Sequence, residues 1–440
     1  MNCRMEHAFY TDRMPPVLKL SCLVCIWPGE IGEIACSYGK KVVQGTEFTK
    51  KKLSLQIGTP KKTLNIMDRR HFIALSLTGL VELGIGTGLQ PVFARRKGKD
   101  SYSIVVLGDT HFDAEPESVY HSDYLEPNER LNKIQRGEFA RNGKMWRELC
   151  PRLVRRAHDL ITPDTQMVFQ LGDLIQGDCG NPSVHRRFLD DTVNYFKQQL
   201  GDVPFVSVVG NHDVRGTKAE AVYHEYMPGR MSKELGRNIY KTTFSVTIGK
   251  DAFLFVDFNR PDDAELERLL KETEGARYTF VVVHSPIIPH DGGSPRWFFH
   301  GSAKKADTEA RRHFRRLFAQ RNAMVLCGHT HTTEFIDWYG DGGRITQMTM
   351  NSVWTREDLR YCSPALQGPE TYGEVCRKKM ASAADYKEVM ELFDEYRAGL
   401  RQYTVSPAAG VYKLSVSSAG VSIDFYGGDS ERVTQTFVLR

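Results

Sequence analysis

No sign of charge dominates the main body of this 440-residue chain. The formal charge is +5, from 59 Lys and Arg against 54 Asp and Glu, but residues 1–66 hold ten basic against five acidic residues and so carry the whole excess. Residues 67–94 carry two of each and residues 95–440 carry 47 of each. A neutral body gives no clear nucleic-acid patch and argues against a nuclease, whose groove is normally lined by a basic stripe. Cysteine is scarce too: five of the nine lie beyond Ala94, namely Cys150, Cys179, Cys327, Cys362 and Cys376. An odd count excludes a fully paired framework, so disulfides do not build the fold, and Cys362 with Cys376 is the pair expected if the protein reaches an oxidising space. Internal repeats and low-complexity segments are absent. With 41% apolar and 26% charged residues, collagenous, coiled-coil and wholly disordered chains are excluded.

Long hydrophobic runs are also missing, with one exception. Met67-Asp68-Arg69-Arg70-His71 is a short basic head, followed by an apolar stretch from Phe72 to about Leu89 and by Val92-Phe93-Ala94, whose small residues suit a signal peptidase. Residues 67–94 therefore read as a signal peptide, either twin-arginine-like through Arg69-Arg70 or Sec-type. Gly84, Gly86, Gly88, Glu82 and Pro91 weaken a stable membrane span, so no membrane anchor is expected once the signal is removed. The protein is then exported, to a periplasm or the extracellular space, if Met67 is the true start, and cytoplasmic otherwise. Residues 1–66 read as upstream sequence from a misplaced start codon, or as a genuine leader or small module bearing Cys3, Cys22, Cys25 and Cys36. Cys22-x-x-Cys25 without a second pair does not make a zinc site.

From residue 95 onward, short runs rich in Val, Ile and Phe recur: Ser103–Leu107, Gln166–Leu171, Pro204–Val209, Ala252–Phe258, Tyr278–Val283 and Ala323–Cys327. Continuous apolar runs of this length are strands buried on both faces, the signature of an α/β protein. Helical spacing is seen over Glu129–Leu160, with Phe139 and Trp146 on its apolar face, and over Arg311–Gln320 and Asp385–Leu400. Thr242–Phe258, turning at Gly249-Lys250-Asp251, is a hairpin, so the sheet is mixed. A polar, partly helical insertion is expected near 355–405, and a closing hairpin over about 410–426.

Five of these runs end in polar motifs: Gly108-Asp109-Thr110-His111, Gly172-Asp173, Gly210-Asn211-His212-Asp213, His284-Ser285-Pro286 and Gly328-His329-Thr330-His331. Ligands of open α/β sheets bind outside the carboxyl ends of the strands, so the five loops can converge. Together they offer carboxylates, an amide and several imidazoles but no thiolate. Such a set suits two divalent first-row ions, Mn, Fe, Zn, Co or Ni. Asp109 with His111, and His329 with His331, alternate along what reads as extended chain and so can point the same way. The preceding glycines read as points where the backbone turns sharply.

The ordered set D-x-H, GD, GNHD, H and GHxH resembles the calcineurin-like metallophosphoesterase family. The resemblance implies an α/β fold, a four-layer sandwich of two mixed β-sheets flanked by helices. It implies Asp109, His111 and His331 on one metal ion, Asn211, His284 and His329 on the other, and Asp173 bridging them through one oxygen each. It further implies in-line attack on phosphorus by a metal-bridging hydroxide, with His212 as proton donor to the leaving oxygen and Asp213 orienting that ring. Two divalent ions less two carboxylates and a hydroxide leave about +1 at the centre, enough to attract phosphate to a neutral protein. The third position after Asp173 is Gln176, where many protein-phosphatase members have an aspartate supporting the acid histidine. Purple acid phosphatases have a tyrosinate there and lack the histidine found here at 111, so that branch is excluded.

The motifs specify phosphate chemistry, and the loops near 112–130, 214–235, 287–305 and 355–405 are left to read what lies beyond the phosphate. Monoesters, diesters, nucleotides and phospholipid headgroups all remain open as substrates. His290, His300, Tyr120, Tyr124, Tyr361 and Tyr372 are candidate substrate contacts by location. Cys179 and Cys327 read as inert buried thiols. A non-catalytic binding protein that keeps this fold is the alternative function.

Overall fold

The structure is a computed structural model that describes residues 100–112, 149–289, 305–352, 366–374, 377, 382 and 386–440. The chain divides into Met1–Thr87 and Gly88–Arg440, and every described residue belongs to the second unit. The expected signal segment, the start of the Glu129–Leu160 helix, Cys362, Cys376, His290, His300, Tyr120, Tyr124 and Tyr361 lie outside the described residues.

The six apolar runs form strands close to the expected bounds: β1 (Tyr102–Leu107), β2 (Thr165–Gln170), β3 (Phe205–Ser207), then, after β4 (Phe244–Ile248), β5 (Asp251–Val256), β6 (Thr279–Val283) and β7 (Met324–Cys327). Their continuous apolarity matches burial on both faces; in β1, β5 and β6 every residue is buried. The later chain adds β8 (Thr333–Gly340), β9 (Gly343–Thr349), β10 (Leu366–Gln367), β11 (Leu400–Ser406), β12 (Gly410–Ser417), β13 (Gly420–Gly427) and β14 (Gln435–Val438). One sheet has the order β14-β13-β12-β1-β2-β3 and the other β10-β11-β8-β9-β7-β6-β5-β4. Both are mixed: β1, β2 and β3 run parallel in the first, as do β5, β6, β7 and β9 in the second, with antiparallel strands outside them.

The two sheets face each other across an aromatic core in which Phe169 of β2 packs against Phe253 and Phe255 of β5 with ring centroids 5.4 and 5.1 Å apart. Helices cover the outer faces. α1 (Pro182–Leu200) and α2 (Ala219–Leu235) pack beside β3, α3 (Asp263–Glu272) beside β4 and β5, and α4 (Lys305–Gln320) beside β8 and β9. This is the four-layer α/β sandwich expected. α1 starts at Asn181, whose side chain accepts from the Ser183 and Val184 amides, and at Pro182, which has no amide to satisfy.

Two expectations are corrected. Residues 355–405 are more than an insertion: after the helix α5 (Tyr386–Arg397), the chain enters β11, which pairs with β8 and extends the second sheet. The stretch near 214–235, expected as a substrate loop, is largely α2, which buries Tyr223, Met227 and Met231 against the core.

Candidate metal centre

Parallel strands expose their carboxyl ends on one edge, and the candidate residues sit there. Asp109 and His111 follow β1, Asp173 follows β2, Asn211 and His212 follow β3, His284 follows β6, and His329 and His331 follow β7. The first sheet thus supplies four of the seven expected ligand positions and the second supplies three.

The side chains meet in two groups. In one, Asp109, His111, Asp173 and His331 bring ligand atoms within 4.8 Å of one another, and in the other Asp173, His284 and His329 do the same. Asp173 is common to both. Its Oδ2 lies 3.6 Å from His111 Nε2 and 3.4 Å from His284 Nε2, while Oδ1 accepts the His212 amide at 2.7 Å. Asp173 would thus be the residue shared by the two groups, with one of its oxygens also tied to the turn after β3. Asn211 joins the second group, its Oδ1 lying 3.1 Å from His284 Nε2 and 2.8 Å from His329 Nδ1.

The backbone reaches this arrangement differently from the alternation the sequence suggested. His111, Asp173, His329 and His331 all have positive φ, between 44° and 77°. Each left-handed non-glycine residue costs about 1 kcal/mol or more, and such strain collects where function requires it. Of the preceding glycines only Gly172 turns with positive φ, at 87°. Gly210 serves by its lack of a side chain, since a Cβ there would lie 1.9 Å from the Asp173 amide nitrogen and 2.3 Å from its Oδ1.

The donor chemistry fits divalent cations. His284 Nδ1 donates to the Leu171 carbonyl at 2.7 Å, which leaves Nε2 to present its lone pair to Asn211 Oδ1 and, at 3.2 Å, to His329 Nδ1. Acceptors crowded together in a buried space need a proton or a metal cation between them. Proton titration alone divides the imidazoles unevenly. Burial opposes charge on all of them, yet the Asp173 and Asp109 carboxylates push His284 up to about 9, and Asp109 raises His331. His111, buried, and His329, half-buried, both next to other imidazoles, are held well below the usual histidine value by desolvation and those neighbours. Asp173 is held well below the carboxylate range by His284, His212 and His111, although burial works the other way.

His212 stands beside this cluster, its ring 4.4 Å from that of His111. Its Nδ1 donates to the Gln176 carbonyl at 2.6 Å, so the main chain of the unusual residue orients the ring. Arg215, paired with the buried Asp178, places Nη2 3.1 Å from the same nitrogen. Burial, with Arg215 adding to it against the pull of Asp173, lowers the His212 pKa to about 4. The expectation that Asp213 orients His212 is corrected. The Asp213 carboxylate accepts the amides of Ile175 and Gly210, at 3.0 and 2.8 Å, and so ties the GNHD turn to the segment after Asp173. Burial and the Asp173 charge push it up to about 8 while those two amides oppose the shift.

Other expectations resolve plainly. Tyr372 is buried, packs against Phe393 and Tyr403, and donates to the Pro289 carbonyl at 2.5 Å. Cys179 and Cys327 are buried thiols, as read. The sequence reading passed over Asn351 and Ser352, which follow β9: Asn351 Nδ2 donates to the His331 carbonyl at 3.0 Å, and Ser352 Oγ accepts the Gly108 amide at 2.8 Å. Their signal was weak, an Asn-Ser pair at a strand end without histidine or aspartate.

A family model for calcineurin-like phosphoesterases matches residues 102–333, just over half the chain. The chain belongs to that family. No curated protein matches it significantly. Among solved structures the chain is similar to GAP50, the anchor in the inner membrane complex of Plasmodium, at 11% identity and a TM-score of 0.40, covering 78% of this chain and 89% of that one. It is also similar to PhoD, at 12% identity and a TM-score of 0.43, over 78% and 69%, and to a dimetal phosphatase from Danio rerio, at 10% identity and a TM-score of 0.39, over 77% and 99%. In this family member the seven candidate ligand positions and His212 all fall within the matched span, and Asn351 and Ser352 lie beyond it.

Proposed function

We propose that this calcineurin-like phosphoesterase hydrolyses phosphate esters with two divalent cations. The observation that carries the reading is the meeting of seven donor side chains, from five strand ends, in two groups that share Asp173. Asp109, His111 and His331 would hold one cation and Asn211, His284 and His329 the other. Two cations so held would polarise the phosphoryl oxygens and lower the pKa of a water for in-line attack.

The chain's own residues orient and move protons. His284 is aimed by the Leu171 carbonyl and His331 is braced by Asn351. With Nδ1 committed to Gln176, His212 keeps Nε2 for proton transfer to the leaving oxygen. The basic and then apolar stretch Met67–Ala94 supports export, which the N-terminal sequence of protein recovered from its native compartment would test.

The deciding measurement is turnover of p-nitrophenyl phosphate beside bis-p-nitrophenyl phosphate by the Mn²⁺-loaded chain, with Asp173→Asn as control. Asp173→Asn should lose turnover and metal content together. Preference for the diester directs the substrate search to nucleotides and phospholipid headgroups, and preference for the monoester to phosphorylated metabolites and proteins. Hydrolysis of neither above the control would sink the enzymatic reading in favour of a binding scaffold. His212→Ala should keep its metal and lose roughly 10²–10⁴ in rate on an ester with a poor leaving group, and far less on p-nitrophenyl phosphate. Equal losses on both would remove the acid role.

A further inference from the structure

One buried polar side chain near the centre has no place in that chemistry. Gln170 closes β2, fully buried, in a run otherwise of Val168, Phe169 and Leu171. It lies in register between Leu107 of β1 and Ser207 of β3. A buried amide costs a few kcal/mol unless its hydrogen-bonding capacity is met. Here it is met, and by groups that flank candidate ligands. Oε1 accepts the Gly172 amide at 3.1 Å and the Ser207 hydroxyl at 2.5 Å. Nε2 donates to the Gly172 carbonyl at 2.6 Å, and to the Gly108 carbonyl and Thr110 Oγ1, each at 3.3 Å.

Gly172 thus gives both its amide and its carbonyl to one side chain, which fixes which end of the Gln170 amide is oxygen. The held residue is a left-handed glycine followed by a left-handed aspartate, Asp173. Two such residues in succession need outside constraint. The Asp173 carbonyl in turn accepts the amides of Thr110 and His111, at 3.1 and 2.7 Å, so the turn after β2 also fixes the loop after β1.

We propose that Gln170 is a positioning residue for the metal centre: its side-chain amide locks the Gly172–Asp173 turn against the Gly108–Thr110 loop and so sets the place of the shared Asp173 carboxylate. The proposal rests on the metal-centre reading above, but not on catalysis. Groups that orient metal ligands from behind change metal affinity by 10–100-fold when removed.

Mn²⁺ titrated calorimetrically into the chelator-stripped full chain tests it, with a urea transition of each stripped protein beside it. Gln170→Glu keeps the shape and both acceptor bonds but sets an oxygen against the Gly172 and Gly108 carbonyls, and Gln170→Leu removes every bond. Both should show a cooperative urea transition and bind Mn²⁺ about 10–100-fold more weakly, with Ser207→Ala weakened by less than about threefold. A folded Gln170 variant that binds Mn²⁺ within twofold of the wild type overturns the proposal. So does failure of both Gln170 variants to fold, since the amide would then serve the sheet and not the turn. A wild-type chain that takes up no Mn²⁺ removes the metal centre and the proposal together. One that binds Mn²⁺ and cleaves neither ester removes only the enzymatic reading.

Discussion

At Gly210 there is no room for one more carbon. A Cβ would press on the backbone nitrogen of Asp173, which cannot swing aside as a flexible side chain would. Gly210→Ala should therefore displace either the GNHD turn or the Asp173 turn, lowering stability by about 3 kcal/mol and Mn²⁺ content with it. Gly275→Ala, placed where nothing lies within 4 Å, should change neither. Urea midpoints and metal analysis of the two purified variants check this, and equal behaviour would refute the packing argument. Individual residues of the centre were legible because Asp, Asn and His at the ends of buried apolar strands have few structural uses. Asp213 was misread because adjacency to His212 does not say where a carboxylate points; its oxygens were claimed by amides from two segments 38 and 3 residues away. Gln170 was invisible for the opposite reason: a lone glutamine closing an apolar strand carries no pattern.

Among the elements, α1 carries a separate test. His185 sits in its first turn, fully buried, with Nε2 donating to the Asp213 carbonyl at 2.9 Å. Its Nδ1 has no partner among the described residues, so a second proton there would be buried and unmatched near the positive end of the helix. Burial lowers its pKa from 6.5 to about 4. A lowered histidine pKa makes the unfolded chain the better proton binder, so the stability is fully present above about 6.5 and lost as pH falls toward 4. The full span is worth about 3 kcal/mol. In chelator, the urea midpoint of the wild type should fall more steeply between pH 7 and 4.5 than that of His185→Gln; parallel slopes would clear His185. The helix itself was passed over in the sequence because His185 and Thr192 interrupt its buried face, although Asn181-Pro182 marks its start. α2 was missed because Pro228 lies inside it. The strands that could be read were those buried on both faces and those of the two hairpins, whereas β8 carries buried Glu334 and Asp337 and β11 begins at Leu400, where helical spacing still continued.

Across the described residues, the two sheets meet twice, at the aromatic core and at the candidate metal centre on its edge. The core holds regardless of ions: Phe169, Phe253 and Phe255 interlock, and Tyr102 of the first sheet donates to Asp251 of the second at 2.9 Å. The centre is different, because Asp109, His111, Asp173 and Asn211 follow strands of one sheet while His284, His329 and His331 follow strands of the other. Without cations, buried imidazoles and carboxylates meet across the sheet interface in strained backbone. Cations that bind only this assembled form must therefore stabilise the fold, by about 2.7 kcal/mol when free ion exceeds its Kd roughly one hundredfold. Removing the ions with chelator should lower the urea midpoint accordingly, and adding Mn²⁺ should restore it in proportion to the logarithm of its concentration. Asp173→Asn, which lacks the shared charge, should show a much smaller increment. If wild type and variant gain equally from Mn²⁺, the ion binds elsewhere and the two sheets are not coupled through this centre.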